Sequence, residues 1–279
     1  MNGFFDILFD PHIHFMRNAL IVGVLASVAF GVVGSYVVVR RVSYLAGAIA
    51  HSVLGGVGAA LYARGALGWT WCEPTFGALA AALLSALAVW WVSSHAKERE
   101  DAVIGAIWSV GMGAGLLFLA ATPGYVDPMS YLFGDVLLVG GWQVWLVAGL
   151  DLVVIAVGLG LYNRFRALAF DEEFALVRGV NARGYSLLLL CLVAVTVVML
   201  VSVVGIVLVV ALLTLPAAAA GRRAKSLWGM MCGATLVGVV SVPLGLYLSY
   251  GWNLPAGPMI VLIVSLVYGG SWLLSLRRG

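Results

Sequence analysis

A chain of 279 residues with 15 Lys+Arg, 12 Asp+Glu and 4 His devotes only 10% of its length to charged side chains, against about 25% in a soluble domain. With 63% hydrophobic residues and a mean hydropathy of +1.09, it cannot build a water-facing shell and reads as an all-α polytopic membrane protein. The net charge of +3 forms no continuous basic face, so no nucleic-acid partner is expected.

Residues 1–15 place acids before the first apolar run and lack a basic n-region, which argues against a cleaved signal peptide. They read as an interfacial amphipathic segment, followed by a single transmembrane domain over 16–279. Asp10, His12 and His14 alternate as a shallow metal contact on an extended chain would, although a chance surface cluster is the plainer reading. Apolar runs predict crossings at 17–39, 45–63, 77–94, 103–121, 142–162, 185–204, 205–220, 228–249 and 256–275. The seventh is shorter than the ~20 residues of a straight span, so a re-entrant or broken helix stays open beside a true crossing, and eight or nine spans are both tenable.

Short loops set an orientation. Arg40-Arg41, Lys97 with Arg99, Arg164 with Arg166, Arg178 and Arg183, Arg222-Arg223 with Lys225, and Arg277-Arg278 mark one side, expected to be cytoplasmic, while the intervening loops hold little beyond Arg64. The C terminus then lies inside, and nine crossings put the N terminus outside.

The largest polar island, 163–184, can fold a short helix with Ala167, Leu168, Phe170, Phe174, Ala175 and Val177 on one face; Gly179 is its expected stop. It is either an ordinary loop or a docking knob for a soluble subunit. Glycines number 35, and those at Gly31, Gly34, Gly55, Gly56, Gly58, Gly111, Gly113 and Gly115 read first as packing seams between helices. Pro216 stands where a helix lining a pore would be interrupted.

Polar groups within apolar runs are the site candidates. His51, beside Ser52, should face a bundle interior or aqueous cavity, either as a hydrogen-bonded structural group or as a borderline metal ligand. Asp151 lies inside the fifth run and Asp135 near the outer surface, and either could attract a cation. His95 sits in a mixed-charge loop and reads as solvated. Cys72, Cys191 and Cys232 are far apart without a CxxC pattern, so no disulfide scaffold or cysteine metal site is indicated. No phosphate-binding loop, HExxH, GxSxG or dinucleotide fingerprint is present, so ATP-driven work would need another subunit.

Five ordered stretches carry a resemblance: VVVRRVSYLAGAIAHSVLGG at 37–56, DPMSYLFGDVLLV at 127–139, DEEFALVRGV at 171–180, VVGIVLVVALLTLPAAAA at 203–220 and LPAGPMIVLIVSLVY at 254–268. From Phe15 through nearly the last span the chain resembles the permease family of bacterial ABC importers for zinc, manganese and iron. The resemblance implies an importer permease of the vitamin B12/iron-siderophore type in the cell membrane. It also implies a second copy of the permease, two cytoplasmic ATPases that use the ATP, and an extracytoplasmic metal-binding protein. It implies no tightly bound cofactor and no enzymatic activity of the chain's own.

The resemblance further makes 171–180 the coupling segment, with Asp171, Glu172, Glu173, Val177 and Gly179 as its coupling residues. It makes His51 a transient pathway contact. Many relatives carry an Asp four residues before this His, where the present sequence has Gly47. A lone imidazole per protomer, paired across a two-fold axis, favours zinc over manganese as cargo. Two other classes compete: an ion-coupled carrier with Asp151 and His51 as a relay, and an intramembrane enzyme using Ser52, whose helical neighbour His51 diverges from it by about 100°.

Overall fold

The computed structural model describes residues 14–95, 100–124, 127–134, 139–170, 176, 179 and 181–276. Four long helices come first: α1 (His14–Val39), α2 (Ser43–Ala66), α3 (Pro74–His95) and α4 (Glu100–Ala121). A short α5 (Pro128–Phe133) precedes α6 (Gly141–Gly160) and α7 (Tyr162–Phe170). The chain ends with α8 (Ala182–Val204), α9 (Ile206–Gly221), α10 (Leu227–Trp252) and α11 (Ala256–Leu276). Eight of these helices are long and apolar enough to cross a membrane, and α9 is a shorter apolar helix.

Two subassemblies divide the bundle. In one, α1 is surrounded by α6, α9 and α10, with α11 outside α9 and α10. Its buried residues Ala19, Val22, Ala26, Ala29, Val33 and Tyr36 recur at alternating steps of three and four, so one stripe of small side chains faces its neighbours. In the other, α2 lies between α3 and α4, which barely touch each other. The two are bridged by α8, which packs on α3, α2 and α6.

Glycine seams set the closeness of the packing. A Cβ on Gly55 would lie 2.8 Å from the Gly111 carbonyl oxygen, one on Gly58 2.6 Å from that of Gly115, and one on Gly56 2.1 Å from that of Gly77. Gly31 and Gly34 play the same part against Thr235 and Leu213, whereas Gly113 faces open space. Without a hydrophobic drive between helices in lipid, this backbone approach supplies the dispersion contacts that hold a bundle together. Buried hydroxyls fold back on their own helices, Ser27 donating to Gly23, Ser35 to Gly31 and Thr196 to Leu192, each at 2.7 Å, so these three donors are satisfied within their own helices.

The interruption of the sixth and seventh apolar runs occurs at Gly205, not at Pro216, which is buried within a continuous α9. Gly205 adopts φ 81°, ψ 160° and Gly134 φ 65°, ψ 175°, a region open essentially to glycine alone. Their backbones press together: a Cβ on Gly205 would stand 2.2 Å from the Gly134 nitrogen. α5 is started by Asp127, whose carboxylate accepts from the Met129 N–H at 3.0 Å with Pro128 in the first turn, and it ends in this contact. Gly257, at the start of α11, closes the knot against the Phe133 carbonyl. Three of the five sequence signatures therefore meet at one point.

The polar island does form a short helix, α7, but its anchoring face differs from expectation. Phe165 and Leu168 are buried, and Phe170, expected on the apolar face, is 71% exposed. Phe165 meets the Tyr36 ring edge-on at 5.2 Å, and the Tyr36 hydroxyl donates to the Gly158 carbonyl at 2.7 Å. α10 also runs three residues beyond expectation, to Trp252, where Asn253 at φ 54° turns the chain.

Candidate functional site

His51 lies in the first half of α2, the ninth of its 24 residues, half-buried on the side facing α4. Its Nδ1 is 2.8 Å from the Gly47 carbonyl oxygen. A carbonyl only accepts, so Nδ1 is the donor; in the neutral ring this leaves the lone pair on Nε2, the form in which imidazole ligates a metal. The Trp108 indole of α4 stacks on the ring, centroids 4.2 Å apart and planes inclined by 24°. The Trp108 ring also sits beside Gly47, where an added Cβ would be 3.3 Å from Cζ3. The position at which the family resemblance implies an Asp is thus a glycine beside an indole.

One residue further round α2, the Ser52 hydroxyl donates to the Ile49 carbonyl at 2.7 Å and accepts from Ser85 of α3 at 2.8 Å. This pair lies in a cleft of about 340 Å³ floored by Ser52, Gly55 and Gly56 of α2 and walled by α3 and α4. The small residues that let the helices approach also leave the cleft. A groove of about 580 Å³ shares Gly55, Gly56, Ala81 and Leu84 with it and leads to Trp69, Trp71 and Phe76 at the α2–α3 connection. Beside that rim, Arg64 pairs with Glu73 at 3.0 Å. His51 flanks this track without lining it.

Asp151 is 6% exposed near the middle of α6. Its carboxylate lies by the Ala29 backbone of α1 without a well-formed hydrogen bond. α6 packs chiefly on α1 and α8, whereas His51 faces α4, so Asp151 and His51 belong to different subassemblies and the relay pairing has no geometric support. Ser52 is held by Ile49 and Ser85, not by His51, so no nucleophile–base pair forms there either. Outside the spans, burial pushes the Tyr131 phenol of α5 above its ordinary range.

Among the described residues no three His, Cys, Asp or Glu side chains gather as a metal site. Asp10, His12, Asp135, Asp171, Glu172, Glu173 and Val177 lie outside the described residues, as do the side chains of His14 and His95. Of the expected coupling positions Gly179 is described: it takes φ 77° and its N–H donates to the Leu176 carbonyl, a turn after a helical residue that agrees with its reading as a stop.

Residues 12–275 match the family described as the ABC 3 transport family. The chain belongs to that family. Among relatives of this ABC 3 permease, a probable metal transport system membrane protein of Chlamydia muridarum is 35% identical over 250 residues, covering 89% of this chain and 85% of the relative. The manganese import system permease protein ScaB of Streptococcus parasanguinis is 30% identical over 249 residues, with 89% and 86% covered. Among solved structures, PsaBC from Streptococcus pneumoniae in complex with Fab superposes with a TM-score of 0.81 at 28% identity, covering 93% of this chain and 91% of that one. The present ABC 3 permease is therefore a multi-pass membrane transport protein with the all-helical fold of an ABC permease.

Sequence reasoning reached His51, Gly47 and the helix order, but missed Trp108, the Ser52–Ser85 bond and the Gly134–Gly205 knot. An aromatic inside an apolar run carries no local mark of its partner. The strongest available signal was the size complement of a glycine at 47 and an indole on another span.

Proposed function

We propose that the protein is the membrane-spanning subunit of an ATP-binding cassette importer that moves divalent metal ions, zinc in first place, into the cytoplasm. The observation that carries this reading is His51: an imidazole deep in a membrane helix, with its Nδ1 proton committed to Gly47 and Nε2 left as a ligand. In a functional pair of permeases the two His51 side chains contribute two borderline nitrogen donors, and no carboxylate stands at position 47 to favour a hard ion.

The cargo arrives from an extracytoplasmic metal-binding protein at the end bearing Trp69 and Trp71, follows the groove past Ser52 and Ser85, pauses at His51 and leaves at the basic end. Two ATPases supply the work, engaging the segment around Asp171, Glu172, Glu173, Val177 and Gly179, for which the buried Phe165 anchors the preceding helix. The permease makes and breaks no covalent bond. It holds cargo weakly and alternates access by rigid-body movement. Asp135 and Asp151 are secondary candidates for cation contact. The naming of the Streptococcus parasanguinis relative for manganese favours manganese as the second reading of the cargo, with iron behind it.

The test is reconstitution of the permease in liposomes with its motor and binding protein, following zinc, manganese and ferrous-ion uptake. ATP-dependent accumulation with zinc foremost is expected. Equal uptake without the motor would overturn the importer assignment, and manganese foremost would overturn the zinc reading alone.

A further inference from the structure

We propose that Trp108 is the positioning residue that holds the His51 imidazole for capture of a borderline divalent ion through Nε2 alone, by covering one ring face and filling the space beside Gly47. The proposal rests on the reading of His51 as a pathway ligand. Three contacts define it. The Gly47 carbonyl accepts a hydrogen bond from Nδ1–H, N···O 2.8 Å, the indole stacks on the imidazole with centroids 4.2 Å apart, and Cζ3 of the same indole would be 3.3 Å from a Cβ at residue 47.

A His side chain on a helix has two freedoms, the Cα–Cβ rotor and the ring flip, and a ligand nitrogen is useful only if both are settled. The bond to Gly47 settles the flip. The indole settles the rotor, because leaving it exposes two aromatic faces and loses their stacking. When Nε2 accepts a cation the imidazole becomes electron-poor and the indole face still lies against it, so the contact strengthens on binding. The same indole keeps other donors from the Gly47 side: an added side chain must push it away. Selectivity and orientation thus come from one residue on a different helix.

Among the described helices, α2 and α4 form the most extensive pair. Gly111 and Gly115 of α4 press directly on the α2 backbone at Ser52, Leu54 and Gly55, which fixes the height at which Trp108 meets His51. A change in that packing would reach the metal contact through the indole.

The test uses the complete transporter in liposomes and reads zinc KM and Vmax separately, with equilibrium zinc binding to the assembled complex as a second measurement. Trp108→Leu should raise the zinc KM about three- to tenfold, the scale of one lost aromatic contact, and Trp108→Phe should restore most of it. If Trp108→Leu does not assemble, Trp108→Met serves as the non-aromatic variant. Gly47→Ala should weaken zinc binding with Trp108 present and have little effect beside Trp108→Leu, since the displaced ring is then already gone.

Equal KM for the Leu, Met and Phe variants and the parent, or a Gly47→Ala cost that is the same in both backgrounds, would overturn the proposal. His51→Ala separates the two levels. If it leaves uptake of every ion unchanged, the pathway reading falls and takes this inference with it. If it abolishes uptake while Trp108 variants match the parent, only the role of Trp108 is lost.

Discussion

At the scale of the residue, the cost of putting His51 in a membrane helix is offset by three neighbours with separate jobs. Gly47 takes one ring proton, Trp108 covers a face, and Nε2 remains for a ligand. His51→Ala should therefore lower metal uptake at least about tenfold, the scale of disturbing a metal ligand's support, while the ATPases still co-purify with the permease. Normal uptake by an assembled variant would remove His51 from the pathway. Gly47→Asp has a less direct outcome than the sequence suggests, because the new carboxylate must displace an indole whose Cζ3 is 3.3 Å from the new Cβ. Alone it should reduce uptake of both zinc and manganese. Combined with Trp108→Ala it should raise manganese uptake relative to zinc, because a hard oxygen donor then stands beside the imidazole. A single variant that gains manganese uptake with zinc intact would show that the indole is no obstacle. His51 was legible because imidazole within a 17-residue stretch of otherwise nearly unbroken apolar sequence, AGAIAHSVLGGVGAALY, is costly unless used. Trp108 was not, since its partner lies on another helix and nothing local distinguishes it from the other aromatics of the spans.

At the scale of the element, hydropathy located the long helices well, since each must satisfy its own backbone in lipid and so fills the apolar run from end to end. It was weaker where backbone conformation decides. Pro216 looked like the interruption, yet α9 passes through it and the chain breaks at Gly205. Proline shows its restriction in its side chain. The reason for glycine at 205 is a positive φ and a backbone contact with Gly134, neither of which has a periodicity. Gly205→Ala should destabilise the protein by well over the roughly 1–3 kcal/mol of a strained backbone alone, because the added methyl also meets the Gly134 nitrogen and the Phe133 carbonyl group. The check is the unfolding midpoint of purified protein in detergent, with Gly113→Ala, which faces open space, as the control. A Gly205→Ala midpoint equal to that control would mean the knot does not brace α8 against α9.

At the scale of the molecule, hydrogen bonds sort the described helix ends into two layers. In one layer Arg40 at the end of α1 donates to Ser186 near the start of α8, Trp90 near the end of α3 donates to the Arg183 carbonyl, and Arg222 past the end of α9 reaches Tyr268 and Ser275 of α11. In the other, Asn18 near the start of α1 donates to the Val139 carbonyl before α6, and Gly205 and Gly257 at the starts of α9 and α11 converge on the end of α5. α9 thus begins in one layer and ends in the other. Its 16 residues span about 24 Å at 1.5 Å per residue, shorter than any of the eight helices long enough to cross a membrane. The basic side chains of the described loops gather in the first layer; the second holds Arg17 at the start of α1 and Arg64, which is balanced by Glu73. If that layer is cytoplasmic, as the distribution of Lys and Arg requires, a membrane-impermeant maleimide should label Cys72 or Thr70→Cys in intact cells. Lys225→Cys in a Cys72→Ser background should be labelled only after the membrane is opened. Cys191 and Cys232 should stay unreactive to the same reagent, because a polar, impermeant maleimide does not reach a thiol within a span. Labelling of Lys225→Cys from outside would invert the whole assignment. The Trp69 and Trp71 rim would then face the cytoplasm, and the entry and exit ends of the cargo route would exchange.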